Sequence, residues 1–113
     1  MEAKVKKKSQ PLRPAVSAMV EDIVGCKWSL SVMRLVRHGV HRPGAMQKAV
    51  EGLSTKVLNE RLRKLQRFGI VDKQSFPEVP PRVEYRLTEF GLQFSSLLDD
   101  VDRLQGWMDT RKS

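Results

Sequence analysis

Between Thr55 and Phe68 the apolar positions recur at helical spacing. At about 100° per residue, Val57, Leu58, Leu62, Leu65 and Phe68 share one arc, and Lys56, Asn59, Arg63 and Arg67 fall on the opposite one. Ser54 stands before the run, where its hydroxyl can accept from the unpaired amides of a first helical turn. Gly69 follows it, where a left-handed residue commonly ends a helix. The spacing predicts a helix over about 55–68, apolar on one face and basic on the other. Upstream, Pro14 suits a first helical position, and Val16, Met19, Val20 and Ile23 predict a helix over about 15–24, ended by Gly25. A second helix over about 27–38 carries Trp28, Val32, Leu35 and Val36 along one side and reads as the buried centre. A short third helix, about 44–50, leads through Glu51, Gly52 and Leu53 into the basic helix, a connection with the form of a helix-turn-helix.

Beyond Gly69 the period becomes two. IVDKQSF and RVEYRLT predict strands over about 70–76 and 82–87, the second alternating Val83, Tyr85 and Leu87 with Arg82, Glu84 and Arg86. Pro77, Pro80 and Pro81, unable to donate to a ladder, mark the loop between them. Thr88 then caps a last helix over about 89–108, with Phe90, Phe94, Leu97, Leu98, Val101, Leu104 and Met108 in a stripe. The fold class is mainly α with a small β-hairpin wing, a winged helix-turn-helix. The last stripe is long for one small domain, and a second subunit would cover it. A homodimer is expected, with Val16 and Met19 of the first helix and Phe94, Leu98, Val101, Leu104 and Met108 of the last at its interface.

Charge sharpens this picture. The 113 residues carry 21 Lys and Arg against 13 Asp and Glu, a net charge of +8 that favours nucleic acid or another anionic partner. Five of these cations lie in residues 1–14, which have almost nothing to bury and are expected to form a flexible basic arm ahead of one domain, 15–113. The last helix is net acidic, and Asp99, Asp100 and Asp102 read as a solvated face. Asn and Arg can read base edges through paired hydrogen bonds, and Lys supplies phosphate or guanine contacts. Thr55, Lys56, Asn59 and Arg63 are therefore the candidates for the major groove of double-stranded DNA. Ser54 and Arg67 are candidates for phosphate, and Arg82 for the backbone or minor groove beside the wing. Arg61 falls inside the apolar arc, where a charge calls for an ion pair or a snorkelling stem.

Catalysis finds no support. No glycine-rich phosphate loop, nucleophile elbow or clustered acid pair is present, so the chain is not expected to be an enzyme, and no cofactor is implied. His38, His41 and Cys26 do not form a compact metal-ligand set, and no metal is expected. One cysteine excludes an internal disulfide. No apolar run is long enough for a membrane span or a signal sequence, which points to the cytoplasm. Cys26 itself, beside Lys27 at the start of a helix, is a candidate redox-reactive thiol, with a small buried filler as the alternative.

With these elements laid out, the chain resembles the HxlR-type transcriptional regulators, a bacterial winged-helix family related in fold to the MarR type. VGCKWSLSVMRLV is similar to the family's Gly-x-Lys-Trp opening of the second helix, LSTKVLNERLRKLQRFGIV to its reading helix, and FPEVPPRVEYRLTEFG to its wing and exit. The resemblance covers about residues 15–109 and implies a homodimeric, DNA-binding repressor or activator. Two departures are evident. Arg13 and Pro14 stand where many thiol-sensing members carry Cys-Pro, and Pro43 follows Arg42 where the family tends to have an aromatic. The reading is a sequence-specific repressor acting on a roughly palindromic operator. The alternative is a protein-interaction module or anti-repressor that keeps the fold without reading bases, and an RNA-binding module ranks third. A dimer groove has room in principle for a small-molecule effector, but no residue specifies one.

Overall fold

The computed structural model describes residues 14–111. Their order is α1 (Val16–Gly25), α2 (Ser29–Arg37), α3 (Pro43–Ala49), α4 (Thr55–Arg67), β1 (Val71–Phe76), β2 (Arg82–Leu87), α5 (Glu89–Phe94) and α6 (Leu97–Arg111). The expected basic arm lies outside the described residues except for its last residue, Pro14, which is exposed.

The local signals around α4 act as expected. The Ser54 hydroxyl accepts from the Val57 amide over 3.1 Å, and Gly69 turns the chain out of the helix at φ 78°. Leu58, Leu62 and Leu65 are fully buried against Val32, Met33 and Val36 of α2, Met46 of α3, and Met19 and Ile23 of α1. This apolar face fixes α4 on the scaffold and turns its basic side outward.

The second helix starts later than its periodicity predicts. Trp28 adopts a left-handed conformation at φ 77°, and the helix begins only at Ser29. The indole instead braces the helix-turn-helix turn: a Cβ built on Gly52 would lie 3.8 Å from Trp28 Cζ2. A residue read as part of a core stripe is thus a corner that supports the α3–α4 connection.

β1 and β2 pair antiparallel from Val71 opposite Leu87 to Phe76 opposite Arg82. The Tyr85 amide also donates to the His41 carbonyl over 2.8 Å, which ties the segment before α3 to the wing. Alternation along β2 holds for Tyr85, which is buried, but Glu84 is only 7% exposed although the pattern turned it to solvent. Arginines cover it, as described below.

The last helix is divided rather than continuous. Ser95 Oγ donates to the Leu92 carbonyl and Ser96 Oγ to that of Gln93, competing with the main-chain ladder. Arg37 of α2 holds the Ser95 carbonyl from outside the helix. Phe94 before the break and Leu98 after it are buried together with Met19 in the protomer's own core. Met19, Phe94 and Leu98 are therefore corrected from interface residues to core residues. Val16, Val101, Leu104 and Met108 remain exposed, with Trp107 beside them at 55%. Gly91 permits the return of α5 over the sheet, since a Cβ there would lie 1.9 Å from the Ile70 carbonyl oxygen.

Candidate nucleic-acid interface

The outward face of α4 presents Thr55, Lys56, Asn59, Arg63 and Arg67, all exposed. None of Lys56, Asn59, Arg63 and Arg67 has a side-chain hydrogen bond or ion pair among the described residues. Their donors are available to an external partner. Thr55 differs, because its hydroxyl donates to Gln47 Oε1 of α3 over 3.1 Å. Ser54 uses its oxygen as the helix cap and keeps its proton for another acceptor.

The remaining cations of α4 have structural partners. Arg61 donates from Nε to the Lys27 carbonyl over 2.8 Å, which identifies the partner its position in the apolar arc demands. Lys64 Nζ bonds Asp22 of α1 and lies 3.1 Å from Cys26 Sγ. Both side chains therefore clamp α4 to the corner between α1 and α2, while Lys56, Arg63 and Arg67 face away from it.

Cys26 is half-buried, and the Lys64 hydrogen bond holds its thiol below the ordinary range, against the opposing effect of burial. The partner is not Lys27, whose ammonium lies 5.0 Å from the centroid of the Trp28 ring. Lys64 lies 38 residues away in sequence, so local spacing could not reveal it.

On the wing, Arg82 pairs with Glu78 at 2.9 Å and with Glu84 at 3.0 Å, and its guanidinium stacks 3.8 Å from the Phe76 ring centroid. Arg82 is thus largely committed within the wing. Glu84 also accepts from Arg86 at 2.9 Å, and Arg42 Nε lies 3.8 Å from it. The Arg86 hydrogen bond, with Arg82 and Arg42 near, holds the Glu84 carboxyl below the ordinary carboxylate range. Arg42 and Arg86 are each more than half exposed. A cleft of about 450 Å³ separates Arg42 and Gly44 at the start of α3 from Val79 and Pro80 at the wing tip. Sequence spacing did not place Arg42 beside the wing; the His41–Tyr85 backbone bond does.

Two acids of the last helix pair with arginines of α2. Asp102 binds Arg34 and Asp99 binds Arg37, each at 2.9 Å, so the face read as solvated is partly a tether to α2. Among the described residues no three His, Cys, Asp or Glu side chains gather as a metal site, and no helix is long and apolar enough to cross a membrane.

Comparison with known proteins places this geometry. Residues 23–112 match the HxlR-like helix-turn-helix family. The chain is 40% identical over 91 residues to the uncharacterized HTH-type transcriptional regulator sll1512 of Synechocystis, covering 80% of this chain and 67% of that one. It is 31% identical over 85 residues to the uncharacterized HTH-type regulator YtcD of Bacillus subtilis, covering 75% and 67%. Among solved structures, a protein assigned to the MarR family of transcriptional regulators, from Enterococcus faecalis, superposes with a TM-score of 0.72 at 30% identity, over 92% of this chain and 97% of that one. The reduced form of the regulator YodB from B. subtilis superposes with a TM-score of 0.67 at 28% identity, over 81% and 87%.

Proposed function

The chain belongs to the HxlR-like helix-turn-helix family and is a DNA-binding transcriptional regulator, not an enzyme; from that premise we propose that it is a homodimeric repressor whose α4 reads a roughly palindromic operator. The observation that carries the reading is the outward face of α4. Lys56, Asn59 and Arg63 stand there with no partner among the described residues, on a helix whose other cations are tied to the scaffold. Asn59 offers a donor and an acceptor to a base edge and Arg63 offers paired donors, and Thr55 and Lys56 stand at the end of the helix that enters the groove first. Ser54 and Arg67 flank this set and meet phosphates. Arg82 shapes the wing tip against the backbone, with the more exposed Arg42 and Arg86 beside it.

Dimerisation follows from the apolar side of α6. Val101, Leu104, Trp107 and Met108 are exposed together with Val16, and burying them against a second copy removes that surface from water. A dyad through such an interface sets two α4 helices about one turn of DNA apart, roughly 34 Å, and makes the operator palindromic. Occupancy of promoter DNA in the cytoplasm then blocks transcription.

The test is titration of the purified protein against the DNA upstream of its own gene and against scrambled DNA at several salt concentrations. Tight, salt-resistant preference for the upstream fragment, with two protected half-sites, is the expected result. Equal, salt-sensitive binding to both fragments overturns the reading.

A further inference from the structure

We infer that Gln47 sets the base preference of Thr55 by holding its hydroxyl as an acceptor only, so that Thr55 selects an exocyclic amine, adenine N6 or cytosine N4, in the major groove. The inference rests on the reading of α4 given above and adds an atom-level specificity to it. Gln47 is a positioning residue: it sits on α3 and acts on DNA only through Thr55.

The argument starts from the Leu53 carbonyl, which can accept a hydrogen bond and never donate one. Gln47 Nε2 lies 3.3 Å from that oxygen, so the amide nitrogen must face it. The other end of the amide, Oε1, therefore faces Thr55 Oγ1 at 3.1 Å, and it too can only accept. The Thr55 hydroxyl has one proton, and that proton is spent on Gln47. What the exposed oxygen then presents to the groove is lone pairs.

Adenine N6 and cytosine N4 are the major-groove donors; thymine O4, guanine O6 and the purine N7 atoms are acceptors. An acceptor set opposite Oγ1 leaves both groups unpaired in a desolvated interface, which is the costly arrangement. A threonine without this constraint rotates its hydroxyl to suit either kind of edge and discriminates weakly. Gln47 removes that freedom because both ends of its amide are engaged, one by the main chain of the helix-turn-helix connection and one by the first residue of α4.

The experiment is selection from a duplex library randomised across the mapped operator, scored as base preference at every position for wild type, Gln47→Ala, Gln47→Glu, Thr55→Val and Asn59→Ala. Thermal unfolding of each protein accompanies it. Every base pair carries one exocyclic amine in the major groove, so the readout is its removal: at one preferred position per half-site, purine in place of adenine or 2-pyrimidinone in place of cytosine is expected to lower wild-type affinity about three- to tenfold, the range a single neutral hydrogen bond supports. Thr55→Val and Gln47→Ala are both expected to lose that preference while leaving the Asn59-dependent position unchanged. Gln47→Glu keeps an acceptor beside Thr55 but loses the donor to the Leu53 carbonyl; it is expected to weaken binding to all sequences through its added charge and to keep only part of the preference. Undiminished preference in Gln47→Ala, or a Thr55-dependent position at which removing the exocyclic amine costs wild type no affinity, overturns the inference while leaving the α4 reading intact. Unchanged preferences in both Thr55→Val and Asn59→Ala overturn that reading as well.

Discussion

Arg61 Nε donates to the Lys27 carbonyl over 2.8 Å, joining the inner face of α4 to the corner between α1 and α2. The guanidinium is mostly shielded, so losing it leaves a main-chain acceptor short of a charged donor. Arg61→Met, which keeps the apolar stem, is predicted to lower unfolding stability by about 1–3 kcal/mol in urea titration. DNA affinity of the folded protein is predicted to stay near wild type. A stable Arg61→Met protein that loses operator binding would instead place Arg61 at the DNA.

Lys64 makes a chemical prediction about Cys26. Its ammonium, 3.1 Å from Sγ, lowers the thiol pKa, so thiolate is present at lower pH than in an ordinary cysteine. Alkylation of Cys26 by iodoacetamide, followed against pH, is predicted to reach half its maximum at higher pH in Lys64→Met than in wild type. Coincident profiles would show that Lys64 does not govern the thiol.

Glu84 links wing structure to acidity. Its carboxyl titrates below the ordinary value in the folded protein because Arg86, Arg82 and Arg42 surround it. A depressed folded pKa contributes stability that is present above the unfolded value, about 4.3, and is lost as pH falls through the folded value. Glu84→Gln is predicted to melt below wild type at pH 7, with the two melting temperatures converging below about pH 4. A gap that persists to pH 2 would assign the effect to packing.

The apolar side of α6 predicts the effect of charge there. Leu104→Glu and Met108→Glu place carboxylates on surface that is already exposed within one protomer, so the fold is retained. Sedimentation equilibrium is predicted to show dimer association weakened by tenfold or more, equivalent to about 1.4 kcal/mol. Wild-type self-association in both variants would direct the search for the interface elsewhere.

The elements legible in the sequence are those set by neighbours in the chain. Ser54, Gly69 and the spacing of Leu58, Leu62 and Leu65 define α4 within sixteen residues, and the prolines at 77, 80 and 81 define the wing loop. Features set by distant partners were not legible. The division of the last helix involves Arg37, 58 residues from Ser95, and Arg42 comes near Glu84 only through the His41–Tyr85 contact. Phe94 and Leu98 share a face in an uninterrupted helix as well, and the stripe alone did not separate these two core positions from the exposed Val101, Leu104 and Met108. The partition of the α4 cations shows the same limit: Arg61 was marked by its place in the apolar arc, but Lys64 only by Asp22 and Cys26.

The most direct test of the account is operator binding by Asn59→Ala and Arg63→Ala, measured by titration on the mapped site and on variants with each base pair changed. Each substitution is predicted to cost roughly 1–3 kcal/mol on the intact site and to relax discrimination at its own base pair. Lys56→Ala, if its ammonium meets phosphate, lowers affinity for all sequences and reduces the salt slope by about one. Wild-type affinity and discrimination in both Asn59→Ala and Arg63→Ala would contradict the assignment of the outward face of α4 as the surface that reads DNA.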